Sequence, residues 1–247
     1  MATYVFIPAR YSSTRLPGKP LLKLAGKSLL RWVYEGCSRS LKADNVIIAT
    51  DDERIREEAE SFGASVVLTS SEHLSGTDRI AEAAEKYGCR DEDVIINVQG
   101  DEPTVDGQIV DDLITACVEY PEFSIITLAY RSKSKEEFLN PNTVKVVFDN
   151  EMRALYFSRA PIPHVRDDTS DNLVWWKHLG FYGYRYGFLK TFVKLPPGKL
   201  EQLERLEQLR ALERGYSVKI LPSSRDTISI DTPDDVEEFL RYLKNKK

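Results

Sequence analysis

Apolar residues fall in short blocks separated by charged stretches. TYVFIPA (residues 3–9), NVIIAT (45–50), SVVLT (65–69) and DVIINVQGD (93–101) are near-continuous apolar runs rich in β-branched residues. Such runs suit strands buried on both faces. The segments between them carry helical spacing. SLLRWVYEGCSRS (28–40) offers Ser28 as an N-cap, DDERIREEAESFG (51–63) opens on acids and closes on Gly63, and TDRIAEAAEKYG (77–88) stops at Gly88. This alternation predicts an α/β fold with a mostly parallel sheet and helices on both faces.

The pattern changes after about residue 123. FSIITLAY, TVKVVFD, RALYFS and LGFYGYR are strand-like with fewer helices between them. They predict a smaller mixed-sheet lobe covering the site. LEQLERLEQLRALERG (200–215) reads as one helix, SVKILP (217–222) and TISID (227–231) as strands, and TPDDVEEFLRYLKNK (232–246) as a helix with Thr232 as N-cap and Pro233 at its first position. The expected organisation is a single domain over residues 1–247: a parallel-sheet core over about 1–122, a mixed-sheet lobe over about 123–230, and a C-terminal helix over 231–247.

Composition narrows the classes. The 247 residues are 42% hydrophobic and 30% charged, as in a soluble globular protein. Three separated cysteines without a CxxC give neither a disulfide framework nor a zinc site, and fit a reducing cytoplasm. No apolar stretch approaches the roughly 20 residues of a membrane span, and the N-terminus lacks a signal-peptide pattern. The net charge of −5 argues against a general nucleic-acid binder. Yet the first 34 residues hold six basic side chains (Arg10, Arg15, Lys19, Lys23, Lys27, Arg31) and no acid. Positive charge that local implies a small anionic target.

The loop at residues 10–20 follows the first strand, where α/β sheets commonly hold phosphate. It matches neither GxxxxGK[ST] nor GxGxxG. It supplies instead Arg10, Arg15 and Lys19, with the hydroxyls of Ser12, Ser13 and Thr14. Arg binds phosphate oxygens in bidentate fashion and Lys adds a point charge. The plain alternative is a solvated basic loop. Asp101, at a strand end, suits a hard cation or a turn equally well. Asp231 on its own reads as a residue preceding a helix. In SGTDR (75–79) a helix start accounts for Thr77 and Asp78, and Glu102 reads as structural.

IPARYSSTRLPGKPL (7–21) resembles the N-terminal signature of the CMP-Kdo synthetases, the 3-deoxy-manno-octulosonate cytidylyltransferases. The resemblance continues in order through LSGTDRIAEA, VIINVQGDEP, NPNTVKVVFD, ALYFSRAPIP, KHLGFYGYR, LEQLRALERG and IDTPDD. It implies a Rossmann-like, GT-A-like nucleotidyltransferase fold. The implied activity couples CTP to Kdo, giving CMP-Kdo and pyrophosphate for lipopolysaccharide synthesis. It further implies Mg²⁺, a cytoplasmic homodimer, and no nucleic-acid or membrane partner. By this resemblance Arg10, Ser13, Arg15 and Lys19 grip the CTP phosphates, and Ser75 and Arg79 lie near the nucleotide. Asp101 and Asp231 would hold the metal, with Arg10, Arg15, Lys19 and Asp101 carrying catalysis. Gln99, Arg159, His178, Tyr182, Glu207 and Gln208 would contact the sugar acid. A guanidinium at Arg159 suits a carboxylate. A lone histidine such as His178 is more often structural. On a continuous helix Glu207 falls within ~20° of Leu200 and ~40° of Leu203, bordering the apolar face. Trp175, Trp176, Phe181 and Tyr182 are candidates for a dimer interface, or for the core of the second lobe. The competing functions are the same reaction on 8-amino-Kdo or another sugar acid, and a non-catalytic nucleotide-binding regulator.

Overall fold

A computed structural model describes residues 1–12, 16–166 and 173–245. The apolar runs form a parallel nucleus of β1 (Thr3–Ala9), β4 (Asn45–Thr50), β5 (Ser65–Leu68) and β6 (Val94–Asn97), adjacent in the order β5-β4-β1-β6. A short antiparallel pair, β2 (Lys23–Leu24) and β3 (Lys27–Ser28), precedes α1 (Leu29–Cys37). The Ser28 side chain accepts a hydrogen bond from the Arg31 N–H, the cap expected there. Helix α2 (Glu53–Ser61) connects β4 to β5, and α3 (Gly76–Tyr87) connects β5 to β6. Helix α4 (Gly107–Glu119), which the apolar pattern did not announce, follows β6.

The sheet continues through the second half of the chain. β7 (Ile125–Ser132), β10 (Trp175–Arg185) and β11 (Val218–Ser223) extend it in the order β11-β7-β10-β6. β10 runs antiparallel to both β6 and β7, while β11 and β7 are parallel. α5 (Lys135–Leu139) leads into β8 (Lys145–Phe148), which pairs with β10 and with β9 (Ala154–Ser158). The core and the mixed extension therefore share one sheet, and β10 joins them.

Alternation along β1 divides the interior. Val5, Ile7 and Ala9 pack on one face with Leu30 and Val33 of α1, Ile55 of α2 and Leu113 of α4. Phe6 packs on the other with Ile80 and Ala84 of α3, Phe157 of β9, and Leu189 and Phe192 of α6 (Tyr186–Phe192). A third cluster joins Leu24 and Leu29 to Ile230 and to Phe239 of α9 (Pro233–Asn245). It straps the end of the chain over its beginning. Phe181 is buried in the first of these layers and Trp175 is buried against Phe138, so both act as core residues of this chain rather than as an interface.

Two sequence-based elements are corrected. Residues 227–231 form no strand; they run alongside the 101–104 turn, with Ile230 N–H donating to Asp101 O at 2.9 Å and Ile228 N–H to Thr104 Oγ1 at 2.8 Å. Residues 200–215 are not one helix but α7 (Lys199–Glu204) and α8 (Leu209–Glu213), separated where Arg205 takes φ 55°. Leu200 and Leu203 are exposed, so the wheel that placed them on an inner face fails, while Leu206 in the break is buried. No helix among the described residues is long and apolar enough to cross a membrane.

Candidate active site

The connections out of β1 reverse direction between β1 and β6, since β4 lies on one side of β1 and β6 on the other. Open α/β sheets bind ligands at such a switch point, outside the carboxyl ends of the strands. A cleft of about 340 Å³ opens there, lined by Arg10, Lys19, Ser75, Arg79, Gln99, Asp101 and Asp231 among others. The floor is backbone brought close. A Cβ on Gly100 would sit 2.9 Å from Pro8 O, so only glycine lets the chain after β6 approach the end of β1 this nearly.

Arg10 stands exposed at the end of β1, with no hydrogen bond or ion pair among the described residues. Ser13 and Arg15 lie outside the described residues. Lys19 follows the left-handed Gly18 at the start of a short 3-10 turn. Its Nζ donates to Asp101 Oδ2 at 2.7 Å, Asp231 Oδ1 at 2.9 Å and Ile230 O at 2.9 Å. Burial pulls the Lys19 pKa down, but Asp101 and Asp231 outweigh it and hold the ammonium above its ordinary value. Thus the fold brings Asp101 and Asp231, 130 positions apart in the sequence, onto one cation.

That arrangement bears on a metal. Two carboxylates converging on a positive charge form a hard-oxygen donor set, and Mg²⁺ is typically held by one or two carboxylates with substrate phosphates and water completing its shell. Among the described residues no group of three His, Cys, Asp or Glu side chains could hold an ion alone. Asp101 and Asp231 therefore fit a metal that arrives with a phosphate ligand. Glu102, next in sequence, turns away into the interior, where burial and the neighbouring Asp101 charge push its pKa up to about 8. Its structural reading agrees with this burial.

Ser75 caps α3, accepting from the Asp78 N–H at 3.1 Å. Arg79 reaches the cleft wall but does not present a free cation. Its guanidinium donates to Thr69 Oγ1 at 2.6 Å and pairs with Asp51 at 3.0 Å, which fixes the approach to α3. His73 and Leu74 also line the cleft and were not singled out in the sequence. His73 Nε2 is paired with Glu82, whose pKa falls to about 2: burial raises it, and Lys86, the Ser70 N–H and His73 outweigh that.

The expected sugar residues gather beside this cleft, and Gln99 connects the two. Gln99 Nε2 donates to Asn97 Oδ1 at 3.0 Å, and Asn97 lies directly opposite Tyr182 across the β6–β10 ladder. Tyr182 OH donates to Gln208 Oε1 at 3.1 Å. Burial, and then the Glu207 charge, raise the Tyr182 pKa, so the phenol stays protonated. Glu207 is reached from α3 by Thr77 Oγ1 at 2.5 Å. Burial raises its pKa against the pull of Thr77 and Arg210. Glu207 Oε1, Gln208 Nε2 and Asn97 Nδ2 are buried without hydrogen-bond partners. Unmet donors and acceptors of this kind are rare in folded proteins and suit a hydroxyl-rich ligand.

Two expected sugar contacts have other occupations. The Arg159 guanidinium donates to Glu204 O at 2.7 Å, Pro141 O at 3.0 Å and Arg205 O at 3.4 Å, bracing the turn between α7 and α8. His178 sits at a bulge in β10, near Gly180 at φ 72°. Thr127 Oγ1 donates its one proton to Phe181 O and so accepts from His178 Nε2–H at 2.9 Å. Burial lowers the His178 pKa to about 3, so the ring is neutral. Thr77 and Asn97 are the contributors that sequence reasoning passed over: Thr77 read as a helix-start residue, and Asn97 as part of an apolar strand.

Residues 4–220 match the family model described as cytidylyltransferase. The chain is 50% identical over 237 residues to 3-deoxy-manno-octulosonate cytidylyltransferase of Syntrophobacter fumaroxidans, covering 96% of this chain and 95% of that one. It is 48% identical over 237 residues to 8-amino-3,8-dideoxy-manno-octulosonate cytidylyltransferase of Shewanella pealeana, covering 96% of each. A solved structure described as CMP:2-keto-3-deoxy-manno-octonic acid synthetase complexed with CTP superposes with a TM-score of 0.92 at 36% identity, over the full length of both chains.

Proposed function

The chain belongs to the cytidylyltransferase family, and from that premise we propose that it transfers CMP from CTP to 3-deoxy-manno-octulosonate (Kdo), releasing pyrophosphate. The observation that carries this reading is the meeting of Lys19, Asp101 and Asp231 in a cleft at the β1/β6 switch point, beside a buried cluster of unpartnered polar atoms. One half suits a triphosphate and the other a polyhydroxylated acid.

The anomeric oxygen of the sugar attacks the α-phosphorus in line. The new O–P bond forms as the bond to pyrophosphate breaks, and the hydroxyl proton leaves to solvent. Nucleotidyl transfer of this kind depends on positioning and charge neutralisation. Arg10 and Lys19 draw the phosphates against the end of β1 and offset charge on the leaving pyrophosphate; Arg15 and Ser13 join them in this reading. Ser75 faces the nucleotide from the α3 terminus, and Arg79 keeps that terminus in place. Asp101 and Asp231 would hold Mg²⁺, which would supply Lewis-acid chemistry to the attacking hydroxyl and the phosphates. Gln99, Tyr182, Glu207 and Gln208 orient the sugar through its hydroxyls. His178, neutral and bound to Thr127, is too weak a base to take the proton and shapes the wall instead. Arg159 acts on the sugar through the turn it braces.

The same reaction on 8-amino-Kdo is the second reading, favoured by the similarity to the Shewanella pealeana protein. It changes one distant substituent of the acceptor and leaves the chemistry intact. We further propose a cytoplasmic homodimer that supplies activated sugar for lipopolysaccharide synthesis. Sedimentation at micromolar concentration tests the dimer; a lone 28.2 kDa species would refute it.

Pyrophosphate release with CTP and Mg²⁺ tests the activity, with Kdo, 8-amino-Kdo and sialic acid offered separately. Release with Kdo, lost when UTP or ATP replaces CTP, is the expected result. Release only with the amino sugar would select the second reading. A folded protein that binds CTP but turns over none of them would leave the non-catalytic regulator in its place.

A further inference from the structure

The turn between α7 and α8, residues 205–208, is held from two sides. From β9, Ser158 Oγ donates to Glu204 Oε1 at 2.6 Å and the Arg159 N–H to Glu204 Oε2 at 2.9 Å. From the opposite side α3 reaches in with the hydroxyl of Thr77, whose Oγ1 donates to Glu207 Oε2, and the Ser75 side chain at the start of the same helix also steadies the carboxylate. Thr77 is 2% exposed, two residues beyond Ser75, which caps the same helix and lines the cleft. One rigid helix therefore presents its first residues to the nucleotide side and fixes a carboxylate on the sugar side.

The other oxygen, Glu207 Oε1, is buried and has no hydrogen-bond partner; Arg210 stands off at 3.6 Å, beyond bonding distance and committed to Glu201 at 2.6 and 2.9 Å. A buried acceptor with one lone-pair face satisfied and the other unmet is oriented for something that arrives later. The unpartnered Gln208 Nε2 adjoins it in sequence.

Resting on the reading that Glu207 contacts the sugar acid, we infer that Thr77 is a positioning residue for the acceptor. Its hydroxyl occupies one Glu207 oxygen so that the other is aimed at a sugar hydroxyl, and it ties that aim to the helix that walls the nucleotide cleft. Thr77 touches neither substrate.

The test compares Thr77→Val, which keeps the shape and removes the donor, with Thr77→Ser, which keeps the donor. Thr77→Ala serves if the valine variant does not fold. Losing a hydrogen bond to a buried carboxylate is expected to raise KM for Kdo by about tenfold or more, with KM for CTP within about twofold. Thr77→Ser restores the parent value. A purely structural threonine would lower thermal stability while leaving the two KM values in their original ratio, and that outcome overturns the inference. Hydrogen exchange supplies a readout that needs no turnover: backbone amides of residues 205–209 are expected to exchange faster in Thr77→Val than in the parent or in Thr77→Ser, with the α3 amides unchanged. Equal exchange in all three proteins refutes the positioning role even if the parent turned over no sugar acid. Inactivity of the parent toward every acceptor refutes the proposed reaction instead.

Discussion

The Lys19 ammonium stands between two carboxylates that a bound metal would also claim. Largely buried itself, it holds Asp101 and the more exposed Asp231 at 2.7 and 2.9 Å, which keeps their repulsion from opening the site. Lys19→Ala is expected to cut turnover by about 100-fold or more, as removal of a charge-stabilising group does. It also removes the cation that the two acids share. The variant should melt below the parent in metal-free buffer, and millimolar Mg²⁺ alone should return more of its melting temperature than it adds to the parent's. Equal shifts in both proteins would refute a shared cation position. His178 gives a second prediction at this scale. Its folded pKa, about 3, lies below its unfolded value near 6.5. Between those values the unfolded chain binds the extra proton, so stability is complete above about pH 6.5 and declines as pH falls toward 3. In denaturant titrations His178→Gln should lose less stability than the parent between about pH 6.5 and 4; parallel acid limbs would contradict the neutral ring.

Among the elements, the break between α7 and α8 has the largest consequence. Residues 200–215 carry strong helix formers, and nothing local forbids a continuous helix. Tertiary contacts override that propensity. Arg205 accepts a left-handed backbone, its carbonyl and that of Glu204 receive the Arg159 guanidinium, and Leu206 is driven into the core. The break is what turns Glu207 toward Thr77 and Gln208 toward Tyr182. Arg159 is itself held from behind. Lys145, with no exposed surface, donates to Arg159 O at 2.6 Å, Thr143 O at 2.7 Å and Asn140 O at 3.0 Å. Burial lowers its pKa, with the nearby Arg159 charge adding to the effect. Lys145→Met fills similar volume but leaves three carbonyls without that donor, and should destabilise the protein by about 3 kcal/mol or more by chemical denaturation. A loss below about 1 kcal/mol would mean that water replaces the ammonium there.

Across the whole molecule, the site depends on closing the chain. Asp231 precedes α9, and the strap holding it is the cluster of Phe239, Ile230, Leu24 and Leu29, with Trp32 edge-on to Phe239 at 5.6 Å between ring centres. Thr232 and Asp235 start the helix as a reciprocal cap: Asp235 N–H donates to Thr232 Oγ1 at 3.4 Å, and the Asp231 and Thr232 N–H groups donate to Asp235 Oδ2 at 2.8 and 2.7 Å. Emptying the centre of this cluster with Phe239→Ala should cost about 3 kcal/mol or more. Because the strap carries Asp231, the Mg²⁺ concentration for half-maximal activity should rise as well. A stability loss with an unchanged Mg²⁺ requirement would separate the strap from the metal.

The apolar runs and the caps were enough to determine the parallel nucleus, the start of α1 at Ser28 and the start of α9 at Thr232, because buried strands and helix ends are specified by residues within a few positions of each other. The same local reading placed Arg10 and Asp101 at strand ends, where the cleft lies. The broken helix and the non-strand at residues 227–231 were decided elsewhere, by the guanidinium of Arg159 and by the turn after β6. So was the pairing of Lys19 with Asp101 and Asp231, and of Thr77 with Glu207. These contacts link residues 82 to 212 positions apart in the chain. Their energies depend on distance in space, to which hydrophobic periodicity and capping chemistry are blind. The sequence determined what each segment tends to become; the tertiary structure decided which charged and hydroxyl groups meet.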